Sequence, residues 1–459
     1  MIVRDLRSYT ETFTEYTELR VQENRSSVLT FVKGNLVANR KTAVSGVSAR
    51  VYREGVWGFA SQPEMAAETI PKVVAAAAAN ARFLAVRENR PAGALPQVQA
   101  AAEHDFTTAK PRVTPKDLIE FGQAVDSYIM RRYHDLSSRT VSLNLLDMEK
   151  SLATSDGSAA YSMIPRAILY VEFSLEKDGA PVEVYDVYGG FGQFEDAFAN
   201  VDGMFERFDQ QYEHLRQKAE GVYPQAGLAE CILDADLAGI LAHEAIGHTV
   251  EADFVRGGSV AGDYLNEQVA SPLITLVDFA HHALGKLCPV PVFIDDEGTP
   301  AADAVLIDGG VLKGFLHNKE SARHFNVAPT GNARAFQFSD EPLIRMRNTA
   351  ILPGKQTLTE MIASIPHGYY LMKSSNGEAD ATSEFMFGVV QGYEIHHGKL
   401  GKALKNTTIS GVAFDMLKTV TMVSDQMAWE CGGFCGKKQL IPVGLGGPAI
   451  KCHVRIGGK

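Results

Sequence analysis

The sequence predicts an α+β protein in two parts. An N-terminal domain over 1–225 combines an antiparallel sheet with helices, and a strand-rich C-terminal domain over 226–459 carries a buried metal-binding helix. Three observations predict this. Short alternating apolar and polar segments, separated by turn residues, fill 8–60 and 141–188. Three stretches of helical composition lie between and after them. A single apolar run beyond residue 235 holds two histidines and a glutamate.

In order, residues 19–22, 27–32, 43–51 and 56–59 alternate as strands, with turn signals at Glu23-Asn24, Lys33-Gly34-Asn35 and Glu54-Gly55. They predict an antiparallel meander. Residues 62–88, with Val73-Val74 followed by five alanines, have good helix composition, and the small face should pack on the sheet. Residues 91–111, rich in Ala, Pro and Gln, predict an extended connector. A helix over 115–132 starts with Pro115 behind Thr114 as its cap. Segments 141–145, 158–163, 167–175 and 182–188 predict further strands, and 194–219 returns to helical composition. This half shows no chemical constellation, and His104, His134 and His214 stand apart from one another.

The second half opens with a short strand over 230–234, and Asp234 or Asp236 can cap a helix running from about 236 to 255. Within it stands His243-Glu244-Ala245-Ile246-Gly247-His248, one residue longer than the H-E-x-x-H of zinc peptidases. The extra residue matters. On a regular helix five residues turn the chain by roughly 500°, so His243 and His248 would sit about 140° apart. A π-bulge absorbs one residue and returns both rings to one face, and Gly247 makes that unwinding sterically easy. The plain alternative is a core helix that carries two unrelated histidines.

Beyond the helix, the glycine-rich 255–263 lacks the G-x-G-x-x-G spacing of phosphate loops and predicts a lid or substrate edge. Segments 291–294, 304–307 and 311–317 predict strands. Asp295-Asp296-Glu297 between them predicts a solvated turn. Glu378 and Asp380 are expected in a turn, and His396-His397 at a hairpin tip. Glu251 and Asp253 are alternative third ligands, although acids at a helix end usually face solvent.

Composition narrows the function. Across 459 residues, 45% are hydrophobic and 22% charged, as in an ordinary globular protein. A net charge of −11 argues against a nucleic-acid surface, which needs clustered Lys and Arg. Five cysteines, at 231, 288, 431, 435 and 452, suit reduced thiols in the cytoplasm better than a disulfide framework. No run approaches the roughly 18 apolar residues of a membrane span, and no secretory signal follows Met1, so no membrane association is expected.

Several motifs in register resemble the TldD/PmbA family, also described as modulators of DNA gyrase: His243 to His248; Asp295-Asp296-Glu297-Gly298-Thr299-Pro300; Val311 through His317; Ser321-Ala322-Arg323; Thr330-Gly331-Asn332; and Cys435-Gly436-Lys437. Because the His-Glu-xxx-His motif is present, the chain resembles the TldD, catalytic side of that family. The resemblance implies a zinc-dependent peptidase acting on unfolded or extended peptides. His243, His248 and Cys435 are the implied ligands of Zn2+ and Glu244 the implied general base. It also implies a homodimer, or a heterodimer with a motif-free paralogue. Gly436-Lys437-Lys438-Gln439-Leu440 departs from the family's usual Gly-Lys-x-Gly-Gln.

Two histidines, a thiolate and a water complete a zinc site with an open position. Both cysteines of Cys431-Gly432-Gly433-Phe434-Cys435 cannot enter such a site, and Cys431 beside Trp429 is expected to pack as a small hydrophobe. His317 is a candidate for substrate binding. A non-peptidase metal amidase and a non-catalytic peptide-binding subunit of the same fold are the alternatives.

Overall fold

The computed structural model describes residues 2–88, 90, 93–199 and 202–458. Positions 91–92, at the start of the expected connector, and 200–201, inside the expected helix 194–219, lie outside the described residues.

The first half is a mostly antiparallel sheet of seven strands. Its strands are β1 (Tyr16–Val32), β2 (Asn35–Arg53), β3 (Val56–Gln62), β4 (Ala101–Asp105), β5 (Ser138–Thr154), β6 (Ala159–Lys177) and β7 (Ala180–Phe191). They run in the order β3-β2-β1-β5-β6-β4, with β7 also on β6. The turns at Lys33-Gly34 and Glu54-Gly55 form with positive φ at all four residues, the backbone that tight hairpins need.

The predicted turn at Glu23-Asn24 does not form, and β1 runs through it. Both residues are paired on each side, Glu23 with Ser45 and Glu149, and Asn24 with Val44 and Met148. Asn24 belongs to a buried polar face of the sheet, and Glu23, on the opposite face, pairs with Arg25 at 3.1 Å. Segments 158–163 and 167–175 likewise merge into β6. Pro165 falls between the stretch paired with β4 and the stretch paired with β7, where its missing N–H costs no ladder bond. Within the predicted connector, β4 joins the sheet edge parallel to β6.

Helix α1 (Thr69–Glu88) buries Ile70, Val73, Ala77 and Ala81 against Val47, Ala49 and Val51 of β2, as its small face predicts. Length and composition alone would let this helix span a bilayer, contrary to the sequence reading. Its packing is that of an amphipathic core helix. Helix α2 (Pro115–Arg132) starts with a capping box between Thr114 and Asp117. The short α3 (Phe194–Ala197) and α4 (Asp202–Ala219) follow, and Phe208 and Leu215 of α4 join the same core as Phe173.

The second half is built on a mixed sheet of eleven strands. The strand order ends on β8 (Gly227–Leu233), which lies parallel to the strand His367–Ala379 and closes back antiparallel onto Gly444–Ile456. The predicted strand at 291–294 is absent apart from an isolated bridge between Ile294 and Pro300, and only Val311–Leu312 of 311–317 pairs as strand. The glycine-rich segment is no free lid. It forms a 3-10 turn over Val260–Tyr264, held by Ser259 Oγ on the Thr249 carbonyl and by the Val260 amide on the Ala381 carbonyl. Glu378 lies in a strand opposite Met386, while Asp380 makes the expected turn; the hairpin tip expected at His396-His397 falls one residue later, at His397-Gly398, with His396 paired in the strand.

The acidic turn overturns its expectation most clearly. Asp295, Asp296 and Glu297 are all buried, against the N-terminal sheet. Asp296 pairs with Lys150 at 2.6 Å, lies 3.8 Å from Arg20, and accepts the Ala335 amide at 2.7 Å. Glu297 pairs with Arg50, which also holds Glu18 at 2.9 Å, and accepts the Lys319 amide at 2.7 Å. Asp295 accepts the amides of Glu297, Thr299 and Ala333. The cations come from strands more than a hundred residues away in sequence, so the local pattern gave no sign of them.

Breaking one member leaves buried charges uncompensated. Asp296→Asn should cost about 3–5 kcal/mol, read as a lowered urea midpoint at neutral pH. The exposed carboxylate change Asp415→Asn should stay within about 0.5 kcal/mol. Equal midpoints for the two variants would show that the acidic turn does not hold the halves together.

Candidate metal centre

Strand β8 ends at Leu233, and Asp234 caps the following helix α5 (Ala235–Ile240) by accepting the Leu237 amide at 2.9 Å. Asp236, the other cap candidate, instead pairs with Lys373 at 3.0 Å. Helix α5 lies directly on the strand Gly444–Ile456. A Cβ on Gly239 would come within 2.9 Å of the Gly446 nitrogen, so this approach requires glycine.

From Leu241 to Gly247 the helix is a π-turn, closed by the His248 amide on the His243 carbonyl at 3.2 Å, an i→i+5 bond. The two rings come to 5.3 Å between centroids. The expected helix to 255 stops here. The Val250 carbonyl accepts the Leu316 amide and the Ala252 amide donates to the Leu316 carbonyl, which draws Glu251 into extended backbone before the short helix Ala252–Arg256.

Cys435 reaches the same place from a hairpin of Phe434–Lys437 and Gln439–Pro442, turning at Lys438 with φ 59°. This is where the sequence departs from the family's usual residues. Buried Arg345 fixes the hairpin by donating to the carbonyls of Cys435 at 2.7 Å, Gln439 at 2.9 Å and Lys437 at 3.3 Å. Ligand atoms of His243, His248 and Cys435 all lie within 4.8 Å of one another, and Cys435 Sγ is 3.2 Å from His248 Nε2. His243 is buried, and neither ring nitrogen has a hydrogen-bond partner. Glu244 is partly exposed, with its carboxylate 3.6 Å from His248 Nε2.

The alternative ligands take other parts. Glu251 is fully buried, not solvated, with Oε2 3.0 Å from His248 Nδ1 and 3.1 Å from Lys437 Nζ. Asp253 pairs with the same lysine at 2.7 Å. Glu251 thus holds the far side of an imidazole whose near side faces the thiol, the usual arrangement behind a metal-binding histidine. Burial would raise the Cys435 thiol, but the His243 imidazole and then His248 favour the thiolate and bring it down to about 4. Burial opposes charge on His248 as well, yet Cys435 and Glu251 lift it to about 10. Without a metal, each of these two groups favours charge on the other.

Cys431 is outside the cluster. Its Sγ lies 3.8 Å from the Trp429 carbonyl, and burial pushes its thiol up to about 11. His317 is also not gathered in. Its Nδ1 lies 3.1 Å from Ser321 Oγ and its ring packs on Phe325, where burial pulls it down to about 4. Sequence reasoning passed over Arg345 and Lys437 as supports. The one available signal was Arg345-Met346-Arg347, two arginines bracketing an apolar residue.

The model of the PmbA/TldA metallopeptidase C-terminal domain matches residues 226–458, and that of the family's domain 1 matches 17–81. The chain belongs to the PmbA/TldD metallopeptidase family. It is 33% identical over 356 residues to a metalloprotease TldD homolog of Haemophilus influenzae, covering 75% of this chain and 73% of that one. It is 34% identical over 243 residues to a zinc metalloprotease TldD homolog of Saccharolobus solfataricus, covering 52% and 54%. The crystal structure of TldE from Thermococcus kodakarensis has the same fold, with a TM-score of 0.76 at 18% identity over 98% of both chains.

The π-turn itself can be tested. A Cβ at Gly247 would sit 1.9 Å from Sδ of the fully buried Met346, so the residue is demanded by packing as well as by unwinding. Gly247→Ala should destabilise the metal-free chain by about 1–3 kcal/mol, and adding Met346→Val should recover part of the loss in thermal unfolding. A single variant as stable as the unmutated chain would remove the packing argument.

Proposed function

We propose that this metallopeptidase-family chain is a zinc-dependent peptidase that hydrolyses unfolded or extended peptides. The observation that carries the reading is His243: a buried imidazole with two unpartnered nitrogens, facing a second imidazole and a thiol. Burying polar atoms unpaired is unfavourable, and a metal ion is the partner that one thiolate and two imidazoles suit. The 3.2 Å between Sγ and His248 Nε2 is a hydrogen-bond distance, roughly 0.3–0.4 Å short of the spacing of a thiolate and an imidazole on one tetrahedral zinc, so a small opening of this pair would admit the ion. The zinc in the name of the S. solfataricus relative supports the same choice.

In this reading His243, His248 and Cys435 hold the metal, and Glu251 fixes the His248 ring through Nδ1. Bound there, zinc supplies Lewis-acid polarisation of the scissile carbonyl and acidifies a water. Glu244 stands beside His248 Nε2 with its carboxylate free, takes the proton of the attacking water, and returns it to the leaving amine.

Two variants separate the roles. Glu244→Gln should keep zinc and fold while losing about 10²–10⁴-fold of hydrolysis of a mixed unfolded peptide pool. Normal cleavage by that variant would overturn the assignment of the base. Cys435→Ser should weaken zinc retention at least tenfold, whereas Cys431→Ser should leave it nearly unchanged. The check is elemental analysis after dialysis against a mild chelator, and equal zinc in Cys435→Ser and the unmutated chain would remove the thiolate from the ligand set.

A further inference from the structure

Between the N-terminal sheet and the Cys435 hairpin runs a groove of about 550 Å³ with an apolar lining that includes Val44, Leu146, Ile168, Phe336 and Phe434. One charged side chain, Arg166 of β6, also lines it. Only 3% of Arg166 is exposed. One terminal nitrogen donates to the Cys431 carbonyl, and the other, Nη1, is buried without any partner. Its guanidinium carbon lies 5.2 Å from the centre of the Phe434 ring. Glu430 favours the charge of Arg166 from a distance but makes no ion pair with it, and its carboxylate accepts the Gly432 amide at 2.6 Å. Buried Arg345 and Arg334 differ, because they spend their forks on three and two carbonyls respectively.

A desolvated guanidinium with an unpartnered nitrogen beside an apolar groove is unfavourable until an anion arrives, and a carboxylate that displaces its neighbours there would match its fork geometry. Burial pulls Arg166 down to about 10, so it remains a cation at neutral pH. The groove is also close to the chemistry. Gly432 and Phe434 line it, and Cys431, whose carbonyl Arg166 holds, is four residues from Cys435. Four extended residues reach at most about 14 Å, which bounds the Cα separation of those two cysteines.

We infer that this groove receives a carboxylate of the peptide substrate on Arg166, with apolar neighbours of that carboxylate against Phe336 and Phe434. The inference rests on the peptidase reading above and adds a substrate class to it: extended peptides bearing an anion a few residues from the scissile bond. A C-terminal carboxylate and an Asp or Glu side chain offer the same chemistry.

Binding tests this apart from turnover. The full zinc-loaded chain carrying Glu244→Gln is titrated with an apolar hexapeptide as free acid and as C-terminal amide, and with amidated versions holding one Glu or one Gln. A carboxylate-bearing peptide should bind roughly ten- to a hundredfold tighter than its neutral counterpart. Preference for the free acid assigns the seat to the chain end, and preference for Glu over Gln assigns it to a side chain. Adding Arg166→Gln should abolish the difference and leave the neutral amide's affinity unchanged, whereas Arg166→Lys should retain part of it. Should Arg166→Gln fail to fold, the acid and amide affinities of the parent chain decide. Equal affinities there, or a preference that survives Arg166→Gln, would overturn the inference. Selective binding without cleavage of any of these peptides by the chain with Glu244 intact would instead count against the peptidase reading alone.

Discussion

The amide of His248 bonds to the carbonyl of His243, not to that of Glu244, and the candidate site depends on this one displaced hydrogen bond. A regular helix would send the two imidazoles to different faces. The π-turn brings both toward Cys435, and its cost is met by the surroundings: Gly239 lets the helix settle on the strand Gly444–Ile456, and Gly247 leaves room for Met346. Immediately afterwards Leu316 takes over the backbone bonds of Val250 and Ala252, which turns Glu251 inward to His248. The irregular backbone therefore sets both the donors and the carboxylate that orients one of them.

The second constraint is charge buried between the two halves. Even-numbered residues of β1, from Glu18 to Asn24, form a polar face, while Leu19 and Val21 point to the α1 core. On that polar face Arg20 and Arg50, with Lys150, meet Asp296 and Glu297. Buried ion pairs add little net stability but penalise any other arrangement, so they fix one relative placement of the sheets. That placement brings the first sheet opposite the Cys435 hairpin. The groove beside Arg166 exists only because the two halves meet in this way.

Much of this was legible in the chain. The meander, the Thr114 cap, the Ala-rich packing helix, the His243–His248 spacing and its π-turn all follow from local chemistry: hairpin backbone, capping, small side chains, and the arithmetic of 3.6 residues per turn. Errors gathered where a polar residue's partner lies far away. Glu23-Asn24 looked like a turn, Asp295-Asp296-Glu297 like a solvated loop, and Glu251 like a surface acid, because β5 beside the first, the cations on Asp296 and Glu297, and Lys437 on Glu251 all lie more than a hundred residues distant.

The same division runs through the site. By itself the sequence determined that two histidines and a glutamate share one apolar turn and that an extra residue must be absorbed there, since helical geometry is local. The sequence reached Cys435 only through family resemblance, which also carried Lys437 as part of a motif without a role, and it left Arg345 and Arg166 unremarked. Tertiary structure decided these, because a thiol 187 residues from His248 and an arginine 265 residues from the carbonyl it holds acquire their roles only when the fold removes water from between them.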